Sequence, residues 1–265
     1  MDHPFKNLLL ATECTEFDTG SERVALEMAK RCDLPLAVVV PVVSNPEFEV
    51  EAPRLIDRAE HEIASRIEAL HARAKEMGVV IDVHARRGET PCKEIVSEAC
   101  EMESDLIIIR RRGRRSFLAN ILVGEMVGKV VSMAPCSVLM VPRACNMWSR
   151  GVLVAVDASS DAGKVVAVAA AIASRCDLPL YVLSVAGSKT GRPDAGRIVE
   201  RHVQAAMGLG ASAKGLVLVG RACDEILAAP VDADLIVIGL GDVRSGGTTQ
   251  KVVGQSEKPV LAVYL

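Results

Sequence analysis

Two acidic residues and a set of glycines are the residues of this chain whose types and positions could bind a small ligand. Glu13 and Asp157 each follow a short apolar segment, and Gly239 ends another. A carboxylate accepts hydrogen bonds from hydroxyl groups, and glycine leaves backbone N–H groups open to a phosphate. A glycine-lined loop that leads into a helix binds anions through those N–H groups and the helix dipole. The pattern predicts ligand binding.

The glycines lie in two comparable segments, one in each half of the chain. The first segment runs Arg110-Arg111-Arg112-Gly113-Arg114-Arg115 and leads to Gly124-Glu125. The second runs Gly239-Leu240-Gly241-Asp242 and leads to Gly246-Gly247-Thr248. We expect Gly124-Glu125 and Gly246-Gly247-Thr248 each to open the last helix of its copy.

Residues for catalysis or metal binding do not form a recognisable set. The five histidines show no ligand spacing with cysteines or carboxylates, and the eight cysteines include no C-x-x-C pair, so we interpret them as buried free thiols. The sequence contains no G-x-S-x-G elbow, no complete P-loop and no evident nucleophile–base pair. We therefore expect neither an enzyme nor a metal site.

Composition bounds the class of protein. Hydrophobic residues make up 50% of the 265 residues but aromatic residues only 3%, which is typical of parallel strands buried between helices. A net charge of −3 and the lack of interleaved aromatic residues disfavour a nucleic-acid partner. No apolar run approaches a membrane span, so we expect a soluble, cytoplasmic protein.

The chain repeats itself. Residues 29–36 (AKRCDLPL) recur as residues 173–180 (ASRCDLPL), and residues 105–109 (DLIII) recur as residues 234–238 (DLIVI). The offset between matching segments falls from 144 to 129 residues because the second copy is shorter. A period of this size indicates duplicated domains. We predict a first domain over 1–144, a linker over 145–150 and a shortened second domain over 151–265.

Within the first copy, apolar segments alternate with amphipathic ones. The predicted strands are 7–12, 36–43, 79–84, 105–109 and 137–141, and the predicted helices are 20–32, 54–77, 91–103 and 124–133. Alternating strands and helices predict an open parallel sheet with right-handed crossovers. Ligands bind such a sheet beyond the carboxyl ends of its strands, where the strand order reverses.

The ordered set of motifs resembles the universal stress protein family over essentially the whole chain, twice. An acidic residue follows the first strand, a glycine precedes Glu-Ile after the third, Asp-Leu-Ile-x-Ile forms the fourth, and Ala-Pro-Cys-x-Val-Leu (134–139) leads into the last. The resemblance implies two tandem, doubly wound, five-stranded α/β domains with an adenine nucleotide alpha hydrolase-like or flavodoxin-like strand order. It also implies a site for ATP or another adenine nucleotide.

The resemblance places the site residues of each domain. An acidic residue after strand one and a backbone group at the end of strand two would hold the nucleoside, and glycines after strand four would hold phosphate. In the second domain these residues are Asp157, Val185, Gly239, Gly241, Gly246, Gly247 and Thr248. In the first domain they are Glu13, Val42, Arg110, Gly113 and Gly124.

Both domains depart from the family pattern. Arg110 replaces the glycine after strand four, and Glu125 puts a negative charge at an expected helix N-terminus, where it would repel phosphate. In the second domain Asp157 and Gly239 are kept, but the loop before Gly246 is about six residues short. We expect the second domain to be the better adenosine site and the first not to bind ATP in the family manner.

Alternatives stay open for each feature. The arginine cluster fits surface ion pairs, an anion site or a partner contact; Asp157 fits a turn cap or a ribose contact. Gly246-Gly247 fits a helix-entry turn or a phosphate cradle. The function implied is a nucleotide-responsive stress or signalling regulator; a nucleotide-free interaction module with an unidentified protein partner, and a hydrolase on the same fold, are the alternatives.

The last strands suggest how the two copies assemble. Residues 138–141 and 260–263 are apolar edges that need covering. Since family members commonly dimerise through this strand, the resemblance implies an intramolecular pseudo-dimer, with a homo-dimer as a further option.

Overall fold

The computed structural model describes residues 3–43, 53–111, 119–159, 161–240 and 247–265, and the side chains at 53–59 and 119–125 lie outside this description. The chain forms two compact units. One comprises Phe5–Cys136 and Met140–Met147, and the other is built mainly from Trp148–Leu265. Both are α/β domains, which confirms the predicted fold class. None of the described helices is long and apolar enough to cross a bilayer.

In the part of the first domain that the structure describes, five strands alternate with four helices. Its strands are β1 (Leu8–Ala11), β2 (Leu36–Val43), β3 (Ile81–Gly88), β4 (Leu106–Arg111) and β5 (Ser137–Pro142). Its helices are α1 (Thr19–Cys32), α2 (Pro53–Met77), α3 (Pro91–Glu101) and α4 (Ala119–Met133). As predicted, Gly78 ends α2 with a φ of 72°, and Thr90 is the N-cap of α3 with proline in the first turn.

The second domain repeats this alternation. Its strands are β6 (Val152–Ala155), β7 (Leu180–Ala186), β8 (Ala213–Val219), β9 (Leu235–Gly239) and β10 (Val260–Val263). Its helices are α5 (Ala162–Arg175), α6 (Arg192–Gly208), α7 (Ala222–Leu227) and α8 (Thr248–Gln255). The shortening predicted from the falling offset is visible in α6, which has 17 residues where α2 has 25.

Strand order places the site in each sheet. The first sheet runs β3-β2-β1-β4-β5 and the second β8-β7-β6-β9-β10. In each sheet the central strand pairs in parallel with both of its neighbours. In β1, Leu8 pairs with Leu36 of β2 and Leu106 of β4. In β6, Val152 pairs with Leu180 of β7 and Leu235 of β9. The order therefore reverses beside β1 and β6. Of the two strand orders named in the prediction, the flavodoxin-like order is wrong, because it puts strand one between strands two and three.

The core of each domain follows from these strands. In β1 and β4, Leu8, Leu9, Leu10 and residues 106–109 are all at most 1% exposed. Strands covered by helices on both faces must be apolar at every position, which explains the continuous hydrophobic runs in the sequence.

A repeated aspartate holds the start of the central strand in each domain. Asp105 accepts hydrogen bonds from the backbone N–H groups of Lys6 (2.6 Å) and Asn7 (3.1 Å). Asp234 likewise accepts them from the residues before β6, namely Ser149 (2.8 Å), Arg150 (3.1 Å) and Gly151 (3.2 Å). The first residue of the repeated DLI motif is therefore structural, since it ties strand four to strand one.

The largest difference between a predicted and an observed helix boundary is at the start of α4. Helix α4 begins at Ala119, whereas the sequence pattern placed its start at Gly124. Gly124 and Glu125 consequently lie inside the helix, and the expectation that Glu125 sits at a helix N-terminus and repels phosphate is wrong.

Candidate functional site

The second domain has a cavity at the reversal point of its sheet. Asp157 lies two residues beyond β6, and Gly239 is the last residue of β9, so both are at the carboxyl ends of adjacent parallel strands. The cavity has a volume of about 320 Å³, and Asp157, Val185, Gly239 and Thr248 are among the residues that line it. Four of the residues predicted for this site are thus brought together around one space.

The charge that faces this cavity is negative. Asp157 and Asp161 line it, and its described lining includes no Lys, Arg or His. Asp157 Oδ1 accepts a hydrogen bond from the backbone N–H of Ser159 (2.9 Å), so it caps a turn while its other oxygen is not committed to that bond. Asp161 is the N-cap of α5, and its side chain is 43% exposed. Both carboxylates can accept hydrogen bonds from a ligand's hydroxyl or amine groups.

Gly239 sets the shape of the cavity floor. A Cβ atom at this position would lie 3.3 Å from Val165 Cγ2 and 3.4 Å from a Leu265 methyl group, which is tight but lies against side chains only. The carbonyl of Gly239 accepts a hydrogen bond from Thr249 Oγ1 (3.0 Å), which fixes the start of α8 to the end of β9. Gly247 is the N-cap of α8, as predicted for the helix entry.

Val185 presents its backbone to the cavity. The carbonyl of Leu183, two residues earlier in β7, accepts a hydrogen bond from the N–H of Val156, just after β6 (2.8 Å). Backbone groups alternate sides along a strand, so those of Val185 face the same way, beyond the end of β6. This is the donor and acceptor pair that a planar base edge needs.

The equivalent space in the first domain is nearly filled. Among the residues that the structure describes, a space of about 10 Å³ lies between Thr12, Glu13, Asp18, Pro41 and their neighbours, and the Arg110 side chain lines it. Arg110 is the fifth residue of β4, as Gly239 is the fifth of β9. The side chain that replaces the glycine therefore enters the site itself.

Carboxylates hold the Arg110 guanidinium. Its Nη2 donates to Glu13 Oε2 (2.8 Å), and its Nη1 donates to Asp18 Oδ2 (3.3 Å) and to Thr15 Oγ1 (3.1 Å). Arg110 is 3% exposed and Asp18 1%. The interpretations of the arginine cluster are surface ion pairs, an anion site or a partner contact, and none of them describes the buried ion pair of Arg110, whose charge is unavailable to a phosphate.

Strand two also differs between the domains. Pro41 lines the small first-domain space, whereas Val42, the predicted residue, pairs with Arg87 of β3 and is not among its lining residues. Pro41 follows Val39 by two positions, and the Val39 carbonyl accepts the N–H of Thr12 (3.1 Å), so Pro41 matches Val185. Proline has no N–H, so the first domain lacks the donor that Val185 provides.

A buried acid lies behind the first-domain site. Glu22 accepts a hydrogen bond from Thr12 Oγ1 (2.8 Å) and forms an ion pair with Arg73. Burial raises the pKa of Glu22 above its usual value. Burial, with the Glu22 carboxylate adding to it, raises the pKa of the nearby Cys14 thiol to about 12. Cys14 is therefore a protonated thiol at neutral pH and not a nucleophile.

Other predicted residues fall elsewhere. Gly113, Gly241 and Gly246 lie outside the described residues. Gly124 is in the backbone of α4, and Gly247 caps α8 without lining the cavity. Among the residues that the structure describes, no group of three or more His, Cys, Asp or Glu is arranged to hold a metal ion.

Three site residues were missed from the sequence. Asp18 and Thr15 bind Arg110, and Pro41 takes the place assigned to Val42. The position of Asp18 directly before α1 was a usable signal for an N-cap, but nothing in the pattern linked it to an arginine 92 residues away.

Comparisons with known proteins agree with this architecture. The family model described as the universal stress protein family matches residues 4–142. A universal stress protein of Methanocaldococcus jannaschii is 24% identical over 143 residues, which cover 52% of this chain and 83% of that protein. A solved universal stress protein from Archaeoglobus fulgidus shares the fold, with a TM-score of 0.73, 20% identity and coverage of 97% of this chain and 96% of that one.

A second Archaeoglobus fulgidus universal stress protein, solved in complex with dAMP, is 28% identical and covers 43% of this chain and 97% of its own, with a TM-score of 0.39. The family match spans more than half of the chain, and the fold is repeated in both halves. The protein is a tandem two-domain member of the universal stress protein family.

Proposed function

We propose that the second domain binds the nucleoside part of an adenine nucleotide, and that the protein is a stress-response or signalling regulator with no catalytic role. The observation that carries this proposal is the cavity of about 320 Å³ that joins Asp157, Val185, Gly239 and Thr248. Its size lies at the lower end of small-molecule sites, and its walls combine apolar side chains with few polar groups.

Each of these residues has a specific part in the proposal. The Asp157 carboxylate accepts hydrogen bonds from ribose hydroxyls, and the backbone of Val185 pairs with the edge of the base. Apolar side chains such as Val156 and Ile226 pack against the base faces. Thr248, at the start of α8, meets the first phosphate, where the helix dipole favours an anion.

The charge of the site favours ligands with few phosphates. Asp157 and Asp161 both face the cavity, and no basic side chain is among its described lining residues. Two like charges 4 Å apart in a partly desolvated space repel each other by about 1–4 kcal/mol. We therefore expect adenosine or a monophosphate to bind more tightly than ATP.

A nucleotide screen tests this proposal. Thermal unfolding of the full-length protein is measured with adenosine, AMP, cAMP and ATP, and with guanosine and GMP as controls, and positive ligands are titrated by calorimetry. We expect the adenine compounds to raise the unfolding midpoint and the guanine compounds to leave it unchanged. No stabilisation by any adenine compound at millimolar concentration would refute nucleotide binding.

The first domain supports a second candidate function. Because its site is filled by Arg110, this domain fits an interaction module that keeps the fold without a nucleotide. The unidentified protein partner would be found by crosslinking to the purified protein. A variant with reversed surface charges in the first domain would be the control.

The assembly and location of the protein belong to the same proposal. We keep 1–144, 145–150 and 151–265 as the domain boundaries, and an intramolecular pseudo-dimer through the apolar last strands as their arrangement; small-angle scattering that shows two independent domains would contradict it. We keep a cytoplasmic location, since eight cysteines without a C-x-x-C pair fit a reducing compartment.

A further inference from the structure

The Arg110 guanidinium occupies its site as a bound ligand would. It is buried beside the carboxylates of Glu13 and Asp18 and the hydroxyl of Thr15, with contacts between 2.8 and 3.3 Å. Glu13 is the counterpart of Asp157, and Pro41 the counterpart of Val185, so these groups belong to the same site that is open in the second domain. The space left falls from about 320 to about 10 Å³.

We propose that Arg110 is a tethered ligand of the first domain, and that the residue at this position of the fold decides whether a domain takes its ligand from solution. The first domain is then permanently in its occupied state, and only the second responds to a ligand. The response of the second domain rests on the proposed function, whereas the role of Arg110 does not.

Guanidinium chemistry explains why arginine serves this role. The group is planar, always charged and carries five N–H donors, so it can bind two carboxylates and a hydroxyl together. Asp18 is 1% exposed and also accepts from the N–H of Thr15 (2.9 Å), so without Arg110 it is a buried carboxylate that forms no ion pair with any other described residue. A cation of the same shape from solution should therefore replace the lost side chain.

Chemical rescue tests the first part. Arg110→Ala is made in the full-length chain, and its unfolding midpoint is followed while ethylguanidinium or ethylammonium is added at low millimolar concentration. We expect a lowered midpoint that ethylguanidinium raises by about 3 °C, which corresponds to about 1 kcal/mol for a domain of this size, and that ethylammonium raises little. If the variant does not fold, refolding with each cation, followed by circular dichroism, gives the same comparison.

A matched control isolates the site. Arg111 is the next residue of β4 and is also buried, but it does not line the first-domain space. Arg111→Ala should gain nothing from ethylguanidinium beyond the wild-type response. Absence of rescue in Arg110→Ala, equal rescue by ethylammonium, or equal rescue of Arg111→Ala overturns the proposal.

The reciprocal exchange tests the second part. Gly239→Arg places the same side chain beside Asp157 and Asp161, and Gly239→Met gives similar bulk without charge. We expect the arginine variant to unfold at a higher midpoint than the methionine variant. A midpoint no higher than that of Gly239→Met overturns the extension to the second domain.

Adenosine titration separates this proposal from the proposed function. If the wild type binds adenosine, both Gly239 variants should lose that binding at least 10-fold because the cavity is filled, and retained binding overturns the role of this position. If the wild type binds none, the proposed function fails, whereas guanidinium rescue and the Gly239→Arg midpoint still decide whether Arg110 is a tethered ligand.

Discussion

Arg110 and Gly239 occupy the same position of the duplicated domain, as the fifth residues of β4 and β9. The Arg110 side chain contacts the buried Asp18 and the partly exposed Glu13, and Gly239 borders an open cavity. The filled and the open site therefore differ at this position, as they also differ at Pro41 and Val185 of strand two. After duplication, one copy could keep an accessible site while the other became independent of a ligand.

Asp157 should contribute directly to nucleoside binding. Replacing it with alanine removes a charged acceptor of ribose hydroxyls, and we expect a loss of about 1–3 kcal/mol of binding free energy. Calorimetric titration with adenosine measures the loss. Glu13→Gln in the first domain is the matched control and should leave the affinity unchanged. An unchanged affinity in Asp157→Ala would mean that this residue only caps the turn at Ser159.

Asp234 should stabilise the second domain through its backbone contacts. Burial alone would raise the pKa of Asp234, but the N–H groups of Ser149, Arg150 and Gly151 and the charge of Arg150 outweigh it, so the pKa lies below its usual value. We expect Asp234→Ala to cost about 1–3 kcal/mol at pH 7 in urea unfolding.

The pH dependence of this contribution has a defined sign. A carboxyl group with a lowered folded-state pKa adds stability above its unfolded pKa of about 3.9, and this stability is lost as pH falls through the folded value. The difference between wild type and Asp234→Ala should shrink below about pH 4. The control is Asp232→Ala, because the Asp232 side chain is 69% exposed. This change should cost at most about 1 kcal/mol of unfolding free energy. Equal costs for the two variants would contradict the prediction.

His84 should make the first domain more stable at acidic pH. Its ring contacts the buried Glu98 of α3 through Nδ1 and Asp82 of β3 through Nε2 (3.2 Å), and Arg86 also contacts Glu98. The hydrogen bond to Glu98 raises the pKa of His84, although burial opposes it. The stabilisation is therefore complete below the unfolded pKa of about 6.5 and is lost as pH rises through the folded value.

The test compares His84→Gln with wild type in urea at pH 5.5 and pH 9. We expect the variant to be less stable at pH 5.5 and close to wild type at pH 9. His71→Gln, an exposed histidine of α2, should show no such difference. A pH-independent effect of His84→Gln would show that its contacts do not depend on protonation.

Two helix glycines should respond oppositely to alanine. A Cβ atom at Gly20, in the first turn of α1, would lie 2.2 Å from the carbonyl oxygen of Pro142, whereas one at Gly163 in α5 would meet nothing within 4 Å. We expect Gly20→Ala to cost about 1–3 kcal/mol through overpacking against backbone. Gly163→Ala should add up to about 1 kcal/mol because alanine favours helix. Urea unfolding measures both, and a neutral Gly20→Ala would contradict the close approach.

The sequence by itself determined the duplication, the strands and most helix boundaries. Strands buried on both faces are apolar throughout, and the apolar residues of surface helices recur at the helical period. It also placed Asp157 and Gly239 beside the reversal of strand order. Only the tertiary structure decided that β1 lies between β2 and β4 and that α4 begins at Ala119, whereas the repeat offset of 144 residues already pairs Val185 with Pro41 and not with Val42. The direction of the Arg110 side chain was likewise decided only by the tertiary structure. Glu13 and Arg110 are 97 residues apart, and local patterns carry no information on which distant side chains meet at the carboxyl edge of an open sheet.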